Sequence, residues 1–145
     1  MASPQARLIV AEIVPELVGW ATQHMAAVFG GCLSDPRVQV RIGDVGAQIR
    51  QATTAFDAIL LDVDNGPDGL TRTGNDALYG TAGLQAARRA LSPGGVLAVW
   101  SAEPDAAFER RLAGCGVAVS THGVRAGGSG RGSRHVIWIG VRRDD

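Results

Sequence analysis

Phe56 to Pro67, FDAILLDVDNGP, is the stretch that decides how this chain folds. Ala58-Ile59-Leu60-Leu61 is a continuous apolar run that stops on Asp62. Such a run fits a strand buried on both faces of a parallel sheet. The polar cluster Asp62-Val63-Asp64-Asn65-Gly66-Pro67 then falls at the strand's carboxyl end. Open α/β sheets place their ligands at that edge. Two carboxylates and an amide there suit proton handling or the holding of a cationic amine. Asn, Gly and Pro are also ordinary turn formers, so a plain tight turn is the competing reading of Asp64 to Pro67.

Strands and helices alternate on either side of this run. Leu8 to Ala11 is apolar and ends on Glu12, which reads as a strand with an acid at its tip. Pro15 suits the first turn of a helix, and Leu17, Trp20, Ala21, Met25 and Val28 continue the helical spacing to Phe29. Gly30-Gly31 stops it, and Asp35-Pro36 turns the chain. Val38, Val40 and Ile42 alternate with Gln39 and Arg41, a strand with one wetter face. Asp44 is placed to cap a short helix over Val45 to Ala52. After Phe56 to Val63, one helical turn is expected around Asp76 to Tyr79, then a helix from Thr81 carrying Leu84, Ala87 and Leu91. Val96 to Trp100 reads as a second buried strand, and Pro104 to Ala113 as a helix. Gly116 to Val124 and His135 to Val141 read as an antiparallel pair across the glycine-rich stretch Gly127 to Ser133. The expected fold is therefore α/β: a Rossmann-like, mostly parallel sheet, helices on both faces, and an antiparallel C-terminal strand pair.

Composition narrows the function. The chain's 145 residues suffice for a single domain with a core, and 46% hydrophobic residues exclude a disordered chain. Lys+Arg and Asp+Glu are both 14, a balance that argues against a general nucleic-acid binder. Cys32 and Cys115 have no metal or redox spacing, and no apolar segment is long enough to span a membrane. A cytoplasmic location is the expectation. His24, His122 and His135 are scattered without zinc-like spacing, so no metal is expected. Trp20, Trp100 and Trp138 suit packing; Trp100 stands apart because it ends a parallel strand next to Ser101 and Glu103. Tyr79 suits either packing or a cover over Asp62. Ser129 and Ser133 have no triad-like context, and the arginines near the carboxyl end, including Arg142, read as solvated charge.

Three acids, Glu12, Asp44 and Asp62, each end a strand of the expected parallel sheet. Strand ends of one such sheet line one edge. An acid after an early strand can accept both ribose hydroxyls of a nucleoside. The next can accept from an exocyclic amine, and the third can face the reacting group. Each taken singly is also an ordinary helix cap or loop acid.

The runs VAEIVPEL, DPRVQVRIGD, FDAILLDVDNGP and LYGTAGLQAARRALSPGGVLAVWS, in that order, resemble the spermidine synthase (polyamine aminopropyltransferase) family. The resemblance covers Leu8 to Ser101 well and the remainder in general layout. It implies the class I S-adenosylmethionine-dependent methyltransferase fold. It also implies that Glu12 holds the ribose of S-adenosylmethionine or its decarboxylated form, and that Ile13 packs on the adenine. Asp44 would accept from the adenine amino group, with the Val45 backbone N–H beside it. Asp62 matches the first acid of the family's catalytic loop, near the sulfonium and the amine. Asn65 stands where the family carries the second acid, and an amide cannot take a proton from the amine. Asp64 is the nearest substitute, and Val14 replaces an acid of the family's glutamate motif.

Family members also carry a first strand and a glycine-rich loop ahead of the Glu12 strand. Eleven residues precede Glu12 here, none of them glycine, so the resemblance implies a chain truncated before that strand. The missing strand would lie between the strands ending on Glu12 and Asp62. Its loss leaves a gap of roughly 10 Å, and direct pairing of those two strands is the compact arrangement expected. Three functions follow. The first is aminopropyl transfer from decarboxylated S-adenosylmethionine to an amine, impaired or not by the truncation. The second is methyl transfer from S-adenosylmethionine on the same scaffold. The third is a catalytically inactive fragment or interaction module. Asp62, Asp64 and Asn65 are the candidate catalytic residues; Glu12, Ile13, Asp44, Val45 and Asp62 are the candidates for the donor. The partner is a small-molecule amine or methyl acceptor, not nucleic acid or membrane, and a homodimer is left open.

Overall fold

The computed structural model of the protein describes residues 3–63, 77–126 and 132–144. The chain divides into two compact units, Met1–Gln48 and Ile49–Asp145.

The first unit is built on one parallel strand pair. β1 (Leu8–Glu12) runs beside β2 (Val38–Ile42), with Leu8 opposite Val38 and Glu12 opposite Ile42. The ladder is closed at both ends: the Leu8 N–H donates to the Arg37 carbonyl, and the Gly43 N–H to the Glu12 carbonyl. Between the strands, α1 (Pro15–Thr22) starts with proline at a position that needs no amide hydrogen, and Glu16 suits the positive end of its dipole. The periodicity of residues 16–29 reads as one helix, yet the structure has two. Thr22 Oγ1 turns back on the Val18 and Gly19 carbonyls, and the Met25 N–H reaches five residues back to the Trp20 carbonyl. A hydroxyl that competes for helix carbonyls weakens the turn that carries it. A four-residue α2 (Ala26–Phe29) follows and ends at Gly30, whose φ of 54° is left-handed. A 3₁₀ turn, Cys32–Ser34, leads to the bend at Asp35. The Asp35 carboxylate takes a two-pronged contact from the Arg37 guanidinium, at 2.7 and 3.0 Å, and also accepts the Arg37 N–H. That guanidinium holds the Asp35 carboxyl down at about 2.

Ala21 is the one buried apolar residue among the described residues of this unit, while Trp20 is 52% and Val28 83% exposed. Leu8, Ile9 and Val10 are consecutive, so they face both sides of β1, and all three are exposed. Apolar residues on both faces are the pattern of a strand in a sheet covered on both faces. Among the described residues β1 pairs with β2 alone.

α3 (Val45–Gln51) crosses into the second unit. Its sheet has the order β3-β4-β6-β5. β3 (Phe56–Leu61) and β4 (Leu91–Ser101) are parallel; β6 (Arg134–Arg142) is antiparallel to β4, and β5 (Val117–Arg125) to β6. The C-terminal antiparallel pair is as the sequence implies. Residues 77–79 are helical, and α4 (Thr81–Ala90) follows. Gly80 rather than Thr81 occupies the cap position of α4. A Cβ on Gly83 would overlap the carbonyl oxygens of Ala77 and Leu78, so only glycine lets the two turns approach this closely. α5 (Ala106–Ala113) begins at Asp105, whose Oδ1 accepts the Ala107 and Phe108 N–H groups.

The core lies on one face of this sheet. Leu97 and Val99 of β4, Val136 and Trp138 of β6, and Ile59 and Leu61 of β3 are buried. Leu84 and Ala87 of α4 and Phe108 and Leu112 of α5 are buried as well. Phe108 centres the aromatic part, edge-on to Trp138 at 4.9 Å and to Tyr79 at 6.0 Å. Arg142 is not a solvated charge: its guanidinium donates to the Leu91 and Arg88 carbonyls, closing the end of α4. On the opposite face, Leu60 is 76% exposed.

β1 and β3 do not pair, contrary to the expectation that they close up. They lie in separate sheets. Each is clamped along its length to its own neighbour. For β3 the clamp begins before the strand, where the Thr54 and Ala55 N–H groups donate to the Arg89 and Ala90 carbonyls at the end of α4.

The packing sets an order among side chains. Phe108→Ala is expected to lower unfolding free energy by about 3–5 kcal/mol, the usual result of emptying a buried aromatic site. Leu60→Ser, on the open face, is expected to change it by about 0.5 kcal/mol or less. Urea denaturation followed by circular dichroism checks both; equal losses would contradict the assigned core.

Candidate functional site

Parallel pairing in the first unit brings Glu12 and Asp44 to one strand edge. Glu12 is the last residue of β1, and Asp44 follows β2 by two residues. Glu12 is half-buried, and its Oε1 accepts the Val14 N–H at 2.8 Å. Its Oε2 has no hydrogen bond among the described residues. That oxygen can take a ligand donor without disturbing the turn into α1. Asp44 is exposed; its Oδ1 accepts the Gly46 N–H at 2.8 Å and its Oδ2 the Ala47 N–H at 3.1 Å. The capping role read from the sequence is therefore realised. Ile13, beside Glu12, is 50% exposed, and Val45 is the first residue of α3.

The second unit brings a different set to the edge of β3 and β4. Leu61 pairs with Val99, so the next residues, Asp62 and Trp100, leave adjacent parallel strands side by side. Asp62 is exposed. The residue after it is pinned from below: the Tyr79 hydroxyl donates to the Val63 carbonyl at 2.9 Å. Tyr79 is 2% exposed, and its own carbonyl accepts from Arg111 Nη1 at 3.2 Å. Of its two sequence readings, packing is the one realised. Trp100 stacks on His135 with ring centroids 4.9 Å apart and planes tilted by 35°. His135 Nδ1 is fully covered and has no hydrogen-bond partner among the described residues. Ser101, buried, donates its hydroxyl to the Glu103 carbonyl at 2.8 Å, fixing the turn after β4.

Asp64 and Asn65, two of the three candidate catalytic residues, lie outside the described residues. Among the described residues no group of three His, Cys, Asp or Glu side chains could hold a metal ion, and no helix is long and apolar enough to cross a membrane. Burial raises the Cys115 thiol above its usual range and keeps it protonated. The stack of Trp100 on His135 is the feature the residues alone do not disclose. It depends on the β4–β6 register, which sets Trp100 opposite Ile137, two residues from His135.

Class I methyltransferase-type folds share this layout of parallel strands followed by an antiparallel C-terminal pair. A spermidine synthase from Thermotoga maritima superposes with a TM-score of 0.72 at 18% identity, over 96% of this chain and 45% of that one. A methyltransferase from Pyrococcus furiosus superposes with a TM-score of 0.60 at 17% identity, over 95% of this chain and 64% of that one. In sequence, the polyamine aminopropyltransferase of Nitrosomonas europaea is 33% identical over 98 residues, which is 68% of this chain and 29% of that protein. The polyamine aminopropyltransferase of Mycobacterium tuberculosis is 32% identical over 101 residues, 68% of this chain and 18% of that protein. The matched part is thus less than a third of the length of these relatives. No family model matches the chain. Over about two thirds of its length the chain is spermidine synthase-like, and it has the class I methyltransferase fold.

Asp44 has two separable duties, charge and capping. Asp44→Ala is expected to destabilise the first unit by about 1 kcal/mol, the usual cost of losing a helix cap. Asp44→Asn keeps an acceptor for the helix amides and is expected to retain most of that stability. Chemical denaturation of the two variants checks this; equal losses would show that charge, not capping, supports α3.

Proposed function

We propose that the chain works as a spermidine synthase-like aminopropyltransferase, moving an aminopropyl group from decarboxylated S-adenosylmethionine to an amine. The observation that carries the reading is the acid at the carboxyl end of each parallel strand before β4, in a spermidine synthase-like chain.

In this reading the donor's nucleoside lies on the β1–β2 edge. Glu12 Oε2 accepts from the ribose hydroxyls while Oε1 keeps the turn. The exposed Ile13 side chain covers one face of the adenine. Asp44 accepts from the exocyclic amine, and the Val45 N–H donates to the ring. The amine nitrogen attacks the carbon next to the sulfonium. The new C–N bond forms as the C–S bond breaks, and neutral methylthioadenosine leaves with the sulfur's electron pair. The sulfonium is already a good leaving group, so positioning and a carboxylate facing the cationic reactants supply most of the acceleration. Asp62 takes the amine's proton, with Asp64 as the second carboxylate. Asn65 serves as an orienting group and not as a base.

Methyl transfer from S-adenosylmethionine is the second reading. The amide at Asn65, where aminopropyl transfer in this family uses an acid, favours it. Its site on the β1–β2 edge is the same, and the acceptor differs.

Titration calorimetry with 5′-methylthioadenosine tests the nucleoside site. Binding is expected, and Glu12→Gln is expected to weaken it at least about tenfold, 1.4 kcal/mol. Absence of binding to the 145-residue chain would overturn both enzymatic readings. Assays offering each donor then separate them: methyl transfer with no product from the decarboxylated donor would overturn aminopropyl transfer.

A further inference from the structure

β5 is the last strand of the second unit's sheet, whose order is β3-β4-β6-β5, and among the described residues it pairs with β6 alone. Sheet edges usually carry a device against further pairing: a short strand, a bulge, a proline or a charge in mid-strand. β5 has none of these. It is nine residues long, and its register runs unbroken from Val117 opposite Arg142 to Arg125 opposite Arg134. Ala118 to Val124 holds no proline and no Asp, Glu, Lys or Arg. Ser120, Thr121, His122 and Gly123 are exposed in succession, and a Cβ on Gly123 would meet open space.

One hydrogen bond tells which backbone groups are turned outward. The Ala126 N–H donates to the Ser133 carbonyl at 3.0 Å, and these two residues continue the β5–β6 register. In an antiparallel ladder, residues that exchange bonds alternate with residues that do not. Val124, His122, Ser120 and Ala118 therefore bond to β6. The N–H and C=O groups of Val119, Thr121 and Gly123 point toward the open edge. Thr121 is the middle residue of the strand.

We propose that the edge of β5 is a self-association site. The strand pairs antiparallel with β5 of a second copy about a twofold axis at Thr121, joining two four-stranded sheets into one. In that register the strand is its own complement. Thr121 meets Thr121 of the second copy, a favourable cross-strand pair. Val119 meets Gly123 and Val117 meets Arg125, so outward-turned groups meet outward-turned groups along the whole strand. No like charges are opposed. Ser120 meets His122, and within one strand these side chains already lie in hydrogen-bond contact at 3.1 Å. A twofold axis gives both copies the same contacts, so the pairing closes at two chains. The proposal does not depend on the transferase reading.

One added strand makes a small interface, so the dimer is expected to dissociate at about 100 μM. Sedimentation equilibrium of the full chain, from about 10 μM to about 1 mM, reads the mass. Amide hydrogen exchange by nuclear magnetic resonance at both ends of that range reads the register. The amides of Val119, Thr121 and Gly123 are expected to exchange freely when dilute and at least about tenfold more slowly when concentrated. Those of Ser120 and His122, bonded to β6, are expected to be slow throughout. Thr121→Pro removes an outward N–H, which an edge strand tolerates, and is expected to abolish association with an unchanged circular dichroism spectrum. Thr121→Lys sets like charges opposite each other and is expected to shift the mass to monomer; it carries the test if the proline variant does not fold. A monomer at every concentration overturns the proposal. So does a dimer that survives Thr121→Lys, or one that protects amides elsewhere and leaves those of β5 unchanged.

Discussion

Parallel pairing of strands is the constraint on which the rest depends. A parallel pair delivers the carboxyl ends of both strands to one edge, and each needs a crossover that covers the sheet. Here the β1–β2 ladder sets Glu12 beside the turn that carries Asp44, and the β3–β4 ladder sets Asp62 beside Trp100. None of these side chains is close to its neighbour in sequence. Their meeting follows from hydrogen bonds between backbones, and the short links after each strand do the remaining placement. Glu12 holds its own turn, Asp44 caps α3, and Tyr79 holds the carbonyl after Asp62.

Much of this was legible in the residues because the signals were local and strong. The apolar run before Asp62, the alternation in Val38 to Ile42, Asp44 ahead of a short helix, and the glycine-linked final strands each specify their own element. Features that depend on distant partners were not legible. The periodic helix ends at Thr22, whose hydroxyl donates to the Val18 and Gly19 carbonyls. The stack of Trp100 on His135 exists only because an antiparallel register spans the residues between them. Arg142 reads as surface charge and instead closes α4 across the fold. Direct pairing of β1 with β3 was expected from the strand missing between them, but among the described residues each lies in its own sheet.

β1 and β3 both carry apolar residues on both faces, the composition of strands in a sheet covered on both faces. Among the described residues each has one neighbour, and Leu8, Ile9, Val10 and Leu60 are exposed. Unpaired apolar edges of this kind are the parts of a sheet most ready to accept another strand. Glu12 and Asp62, two of the candidate functional residues, lie at the ends of these same strands.

Glu12 ties the account together, because one of its oxygens serves the fold and the other is available to a ligand. A crystal structure of the chain with 5′-methylthioadenosine bound is the most direct measurement. The account predicts the nucleoside on the β1–β2 edge, its ribose hydroxyls within hydrogen-bond reach of Glu12 Oε2 and its adenine over Ile13. A nucleoside bound elsewhere, with Glu12 still engaged only by Val14, would contradict it.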